Sequence, residues 1–148
     1  MTDTTPAVSV VTPCYKVTEY VAGALDSLRA QTFRNFETIL VNDGCPDTDN
    51  LERVLAPYRR EIIYFKQEHG GLSVARNTAI RAARAPIIAL LDPDDAWERG
   101  YLEAQTALLG GPKLKSWLKG DKHRISNVFG YSGNECESAD PPTGQRAE

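Results

Sequence analysis

The sequence predicts an α/β fold, with a mostly parallel sheet flanked by helices, on three observations. Between residues 7 and 109, apolar runs of strand length alternate four times with amphipathic runs of helical length. The strand runs are apolar on both faces, as strands covered by helices on either side must be. Each run ends in polar or unusual residues at its carboxyl side, which is where open α/β sheets bind ligands.

The first run, residues 7–12, is β-branched and bounded by Pro6 and Pro13. Thr18 stands as a helix N-cap with Glu19 in the first turn, where the helix dipole favours an acid. Tyr20, Val21, Ala24, Leu25 and Leu28 then recur at helical spacing, giving one apolar face to about Gln31. Residues 36–41 form a second strand that stops at Asn42-Asp43-Gly44. An amphipathic helix over residues 47–59 follows, with Leu51, Val54, Leu55 and Tyr58 inward and Pro57 disturbing its end. The third strand, residues 62–65, ends at Gln67-Glu68-His69-Gly70-Gly71. Ser73 is the expected cap of the next helix, whose stripe of Ala75, Ala79, Ala82 and Ala83 lets it sit close on a sheet. Residues 86–91 make the fourth strand, with Pro86 first, where a missing donor is tolerated. A last helix, about residues 98–109, carries Tyr101, Leu102, Leu108 and Leu109.

A chain of 148 residues has room for one domain with a real core and is short for two. Its 41% hydrophobic and 25% charged content is that of a soluble globular protein. The formal net charge of -3 argues against a general nucleic-acid surface. No apolar run approaches the roughly 20 residues that span a bilayer, so no transmembrane segment is expected. The polar first six residues lack a signal peptide's apolar centre. Cys14, Cys45 and Cys136 are odd in number and widely spaced, which argues against a disulfide framework or zinc site and fits a reducing cytoplasm. After Gly110-Gly111-Pro112 the composition turns Lys-rich and then polar, so residues 110–148 read as an atypical tail, poorly packed and disordered from about Gly133.

Four loops from four strand ends converge on one rim. The sharpest signal there is Ile87-Ile88-Ala89-Leu90-Leu91-Asp92-Pro93-Asp94-Asp95, a buried strand that exits into three carboxylates within four residues. Like charges this close repel, and a hard divalent cation such as Mg²⁺ or Mn²⁺ relieves them. The plainer alternative is a solvated acidic turn that caps the helix near Glu98. Tyr15 offers a face on which a nucleobase can stack. Asp43 either accepts the imino proton of a uracil or thymine ring or serves an Asx turn or helix cap. Gly70 and Gly71 permit backbone positions closed to other residues. Arg76 lies in the first turn of its helix, where the dipole disfavours a cation. A diphosphate nearby explains that placement; pairing with Glu68 or Asp43 is the alternative. His69 reads as a solvated loop residue without a catalytic role, and Trp97 as a core plug. No base pattern near Cys14 or Cys45 suggests a nucleophile.

Four stretches now carry a resemblance. Val8-Ser9-Val10-Val11-Thr12-Pro13-Cys14-Tyr15, Ile39-Leu40-Val41-Asn42-Asp43-Gly44, Gly71-Leu72-Ser73-Val74-Ala75-Arg76-Asn77 and Leu91-Asp92-Pro93-Asp94-Asp95 resemble, in order and spacing, the motifs of family 2 glycosyltransferases. The likeness covers about residues 7–109 and implies the GT-A fold, a Rossmann-like sandwich, interrupted after the Asp-x-Asp turn. It implies a nucleotide-sugar donor, UDP- or dTDP-linked, with Thr12, Pro13 and Tyr15 around the base and Asp43 bonded to it. Arg76 would contribute near the base and phosphates. Asp94 would approach the ribose and the metal, Asp95 would ligate Mg²⁺ or Mn²⁺, and Asp92 would support the turn. Lys16 stands where the family usually has Asn, and Cys45 where Ser is common.

The resemblance implies transfer of the sugar to an acceptor hydroxyl with inversion, the acceptor being a saccharide or lipid-linked. The setting would be cytoplasmic, at most peripheral to the inner face of the membrane, in polysaccharide assembly. Residues after 109 show no acidic acceptor-side motif, so no catalytic base is assigned. The alternative is a non-catalytic sugar-nucleotide-binding remnant.

Overall fold

In a computed structural model, which describes residues 5–109, strands and helices alternate along the chain. The strands are β1 (Val8–Cys14), β2 (Phe36–Asp43), β3 (Ile62–Gln67) and β4 (Ile87–Leu90). Between and after them lie helices α1 (Val21–Arg29), α2 (Thr48–Leu55), α3 (Leu72–Ala82) and α4 (Tyr101–Leu109). The sheet order is β3-β2-β1-β4, and every pairing is parallel. The expectations for residues 110–148 lie outside the described residues.

β1 is buried along its whole length and β2 at all but its first residue, because both are paired on two sides and covered on two faces. The two-residue period of a strand sends alternate side chains to opposite layers. Val8, Val10, Cys14 and Leu40 meet α1 and α2 through Val21, Ala24, Leu25, Leu28, Leu51 and Leu55, joined by Leu102 of α4. On the other face, Val11, Ile39, Val41 and Ile88 pack against Ala75 and Ala79 of α3. Both alanines are fully buried, so the small-residue stripe does bring α3 close to the sheet.

Several element ends differ from the sequence reading. α1 is not capped by Thr18. The Val17 carbonyl accepts from the N–H groups of Tyr20 and Val21, which moves the cap position to Tyr20 and leaves Thr18 buried. Nor does Ser73 cap α3; that position belongs to Gly71, at φ 89°. α2 stops at Leu55, and a 3₁₀ turn, Ala56–Tyr58, absorbs Pro57. β2 and β3 both run two residues further, pairing Asn42 with Lys66 and Asp43 with Gln67. Ladder hydrogen bonds come from the backbone, so polar side chains at a strand end do not stop the pairing.

α4 begins at Tyr101, later than expected, and its start is organised from α1's end. The fully buried Gln31 donates through Nε2 to the Glu98 carbonyl at 2.8 Å and accepts from the Leu102 N–H at 3.0 Å. A side chain distant in sequence thus satisfies one of the orphan donors of a helix N-terminus. On the other face of the sheet, Ser9 Oγ donates to Glu37 Oε1 at 2.6 Å and accepts from the Ala85 N–H at 3.1 Å. Glu37 also accepts from the backbone N–H and Nε of Arg84, each at 2.8 Å. This buried knot ties the α3–β4 connection beneath β1 and β2.

Candidate functional site

The strand order reverses after β3: β2 and β3 lie on one side of β1, and β4 lies on the other. Parallel sheets leave a crevice at such a reversal, outside the carboxyl ends of the strands. A cavity of about 240 Å³ opens there. Pro13 and Tyr15 line it from β1, Asp43 from β2, His69 from the loop after β3, and Asp92 and Asp94 from the turn after β4. All four strand ends therefore meet, as the sequence predicted.

Asp43 is the best-connected group in the site. It is 2% exposed. Its Oδ1 accepts from Gln67 Nε2 at 2.7 Å and from the Gly70 N–H at 2.9 Å, and its Oδ2 accepts from the Gly71 N–H at 2.9 Å. Burial pushes the Asp43 carboxyl up, but the bonds from Gly70, Gln67 and Gly71, with the nearby His69, outweigh it and hold the group below the usual carboxylate range. The carboxylate thus fastens the β3–α3 loop to the end of β2. Gly44, at φ 67°, makes room for this: a Cβ there would lie 2.6 Å from the His69 backbone nitrogen.

His69, which sequence reasoning set aside, belongs to the site. Its Nδ1 lies 3.0 Å from Asp43 Oδ2 and 3.1 Å from the Asp43 backbone oxygen. Both neighbours are acceptors, so Nδ1 carries a proton. The ring stacks on Tyr15 with centroids 4.0 Å apart and planes 20° from parallel. The only sequence signal was its place in a loop at a strand's carboxyl end. Lys16 adopts φ 55°, unusual for a residue with a Cβ, and its Nζ lies 5.3 Å from the Tyr15 centroid. Its backbone N–H donates to Cys45 Sγ at 3.3 Å, joining the loops after β1 and β2.

Arg76 pairs neither with Glu68 nor with Asp43. Its Nη2 donates to Asp92 Oδ1 at 2.8 Å, bridging α3 to the acidic turn. Asp92 is the most enclosed of the three carboxylates; Asp94 and Asp95 are exposed. The turn is closed by the Asp95 N–H donating to the Asp92 carbonyl at 3.0 Å. Asp95, Arg76 and the fully buried Thr12 lie outside the cavity lining. Trp97 packs against the core as expected. Burial and the neighbouring Cys45 push the Cys14 thiol up to about 12, so it supplies no thiolate.

No group of three or more His, Cys, Asp or Glu gathers as a ready-made cation cage among the described residues. Mg²⁺ or Mn²⁺ with a diphosphate does not require one, because one or two carboxylates suffice when phosphate oxygens complete the shell. Asp94, exposed and beside the cavity, with Asp95 next to it, fits that demand; Asp92 has one oxygen committed to Arg76.

The sequence profile described as Glycosyl transferase family 2 matches residues 9–126. The chain belongs to glycosyl transferase family 2. It is 43% identical over 91 residues to EpsJ of Bacillus subtilis, an uncharacterized glycosyltransferase, covering 61% of this chain and 26% of that protein. Among solved structures it is similar to S. aureus TarS 1-349 in complex with UDP-GlcNAc, with a TM-score of 0.64 and 27% identity over 70% of this chain and 31% of that one. The mannosyltransferase PcManGT of Pyrobaculum calidifontis, in complex with GDP-Man and Mn²⁺, shares the fold at a TM-score of 0.65 and 24% identity, covering 74% and 34% of the two chains. The family's GT-A architecture is thus that of the sheet described above. The chain spans less than a third of the length of curated relatives that it matches, 11% of one and 32% of another. No helix among the described residues is long and apolar enough to cross a membrane.

Proposed function

We propose that this domain binds a nucleoside diphosphate sugar, UDP- or dTDP-linked, in the cavity at the carboxyl ends of the strands. The protein it serves transfers the sugar to an acceptor hydroxyl of a saccharide or lipid-linked chain, with inversion. The observation that carries the reading is one cavity bordered by an aromatic platform, a buried carboxylate and an acidic turn. Tyr15 stacks the base, Pro13 borders it, and Asp43 accepts from its imino N–H. Thr12, beneath them, supports the end of β1. Arg76 positions Asp92, and through it the turn that presents Asp94 and Asp95.

Asp94 is the first candidate to hold Mg²⁺ or Mn²⁺, with Asp95 second and Asp92 in support. When bound, the cation neutralises charge on the departing nucleoside diphosphate. That similar structures were solved with UDP-GlcNAc and with GDP-Man and Mn²⁺ supports a nucleotide-sugar donor for this fold. The setting proposed is cytoplasmic or peripheral to the inner face of the membrane. Titration calorimetry with UDP, dTDP and GDP, with and without Mn²⁺, tests the reading. Mn²⁺-dependent binding of a pyrimidine diphosphate is expected; no binding of any of the three would overturn it.

A further inference from the structure

We infer that His69 stands in for the nucleobase in the ligand-free protein and must swing aside before a base can enter; this rests on the donor-site reading above. That reading assigns the base two contacts, a stack on Tyr15 and an N–H bond to Asp43. His69 already occupies both places. Its ring lies 4.0 Å from the Tyr15 centroid and 20° from parallel, the separation of stacked rings. Its Nδ1 lies 3.0 Å from Asp43 Oδ2, where an imino nitrogen would sit, and is hydrogen-bonded to the Asp43 backbone oxygen at 3.1 Å. Gln67, Gly70 and Gly71 donate to the same carboxylate, and the imidazole covers the acceptor position on Oδ2 that remains for an incoming imino group. Of these four neighbours of the carboxylate, two are backbone N–H groups at the start of α3, and Gln67 is fixed further by Thr78 Oγ1, which donates to its Oε1 at 2.7 Å. His69 is the one that can leave without unpacking the fold.

Two further observations define the motion. The His69 side chain is 51% exposed, so it can turn into solvent without opening the core. Its backbone, by contrast, is held against Gly44, where even a Cβ would come within 2.6 Å. The imidazole therefore rotates about its own side-chain torsions while the loop stays in place. Closed and open rotamers compete, and only the open one accepts a base, so the apparent affinity is reduced by the fraction that is open. The base then takes the face of Tyr15 and the place beside the Asp43 carboxylate that His69 gives up.

The test uses the full chain and UDP with Mn²⁺. His69→Ala should bind UDP about tenfold more tightly than wild type, since the variant need not break one hydrogen bond and one ring stack. His69→Phe keeps a ring for Tyr15 but has no donor for Asp43, and should fall between them. Nuclear Overhauser contacts between the Tyr15 and His69 rings should be present in the free protein and vanish at saturating UDP. Weaker binding by His69→Ala would mean that the imidazole supports the base, and unchanged binding that it does not compete; either overturns the inference. Persistence of the ring contact in the UDP complex also overturns it. Should neither wild type nor variant bind any nucleoside diphosphate, the donor-site reading itself fails and takes the inference with it.

Discussion

Asp43 illustrates how one side chain can hold a site together while bordering it. Its carboxylate is bonded to Gln67, Gly70 and Gly71, so removing it releases the β3–α3 loop as well as any base contact. Asp43→Ala should therefore lower stability by about 1–3 kcal/mol, the range for hydrogen bonds to a charged group. It should also reduce the preference for UDP over ADP. Chemical denaturation and calorimetry separate the two effects, and a folded variant with unchanged nucleotide preference would leave Asp43 a loop fastener only. At the acidic turn the expected order is Asp94→Ala above Asp95→Ala above Asp92→Ala in loss of Mn²⁺-dependent UDP binding. Asp94 borders the cavity, Asp95 does not, and Asp92 already has Arg76 as a partner. Equal affinity of wild type and Asp94→Ala would remove the cation from this turn.

Among the elements, the connection between α3 and β4 depends on Ser9, Glu37 and Arg84. Burial raises the Glu37 carboxyl, but the bonds from Ser9 and from the backbone and side chain of Arg84 hold it below the ordinary range. A depressed carboxyl contributes stability that is complete above its unfolded value, about 4.3, and is lost as pH falls through the folded one. Denaturant midpoints should therefore fall as the solution is acidified from about pH 5 downward. Glu37→Gln should be less stable at neutral pH and show a shallower fall. Parallel acid profiles for the two proteins would show that this knot does not sense pH. Gly44→Ala tests the carboxyl end of the sheet. Positive φ and the His69 backbone both oppose a Cβ, so a loss exceeding about 1 kcal/mol is expected by the same denaturation.

For the whole molecule, donor binding and sugar transfer are separable. Each strand-end group at the cavity has a donor-side task in the proposed reading, and none of those named serves as general base for an acceptor. We expect the 148-residue chain to bind UDP with Mn²⁺ and to release it slowly from UDP-sugars by hydrolysis. Acceptor-dependent turnover should stay well below about 1 per second. UDP release from a panel of UDP- and dTDP-sugars, with saccharide and lipid-linked acceptors added in turn, measures it. Turnover at ordinary enzyme rates would show an acceptor site and a base within this chain.

Periodicity and composition determined the order of strands and helices, the parallel sheet and the convergence of its ends, because burial on two faces leaves a direct imprint on residue type. The acidic turn was equally plain, since three carboxylates at a buried strand's exit have few structural uses. The partners of these groups were decided only in three dimensions. Arg76 meets Asp92 instead of Glu68 or Asp43, Gln31 caps a helix far along the chain, and Gly71 displaces Ser73 at the start of α3. His69 reaches Tyr15 and Asp43 only because β1, β2 and β3 lie side by side in register. A hydrogen bond depends on a few tenths of an ångström between side chains brought together by folding, and no residue pattern along the chain encodes that distance.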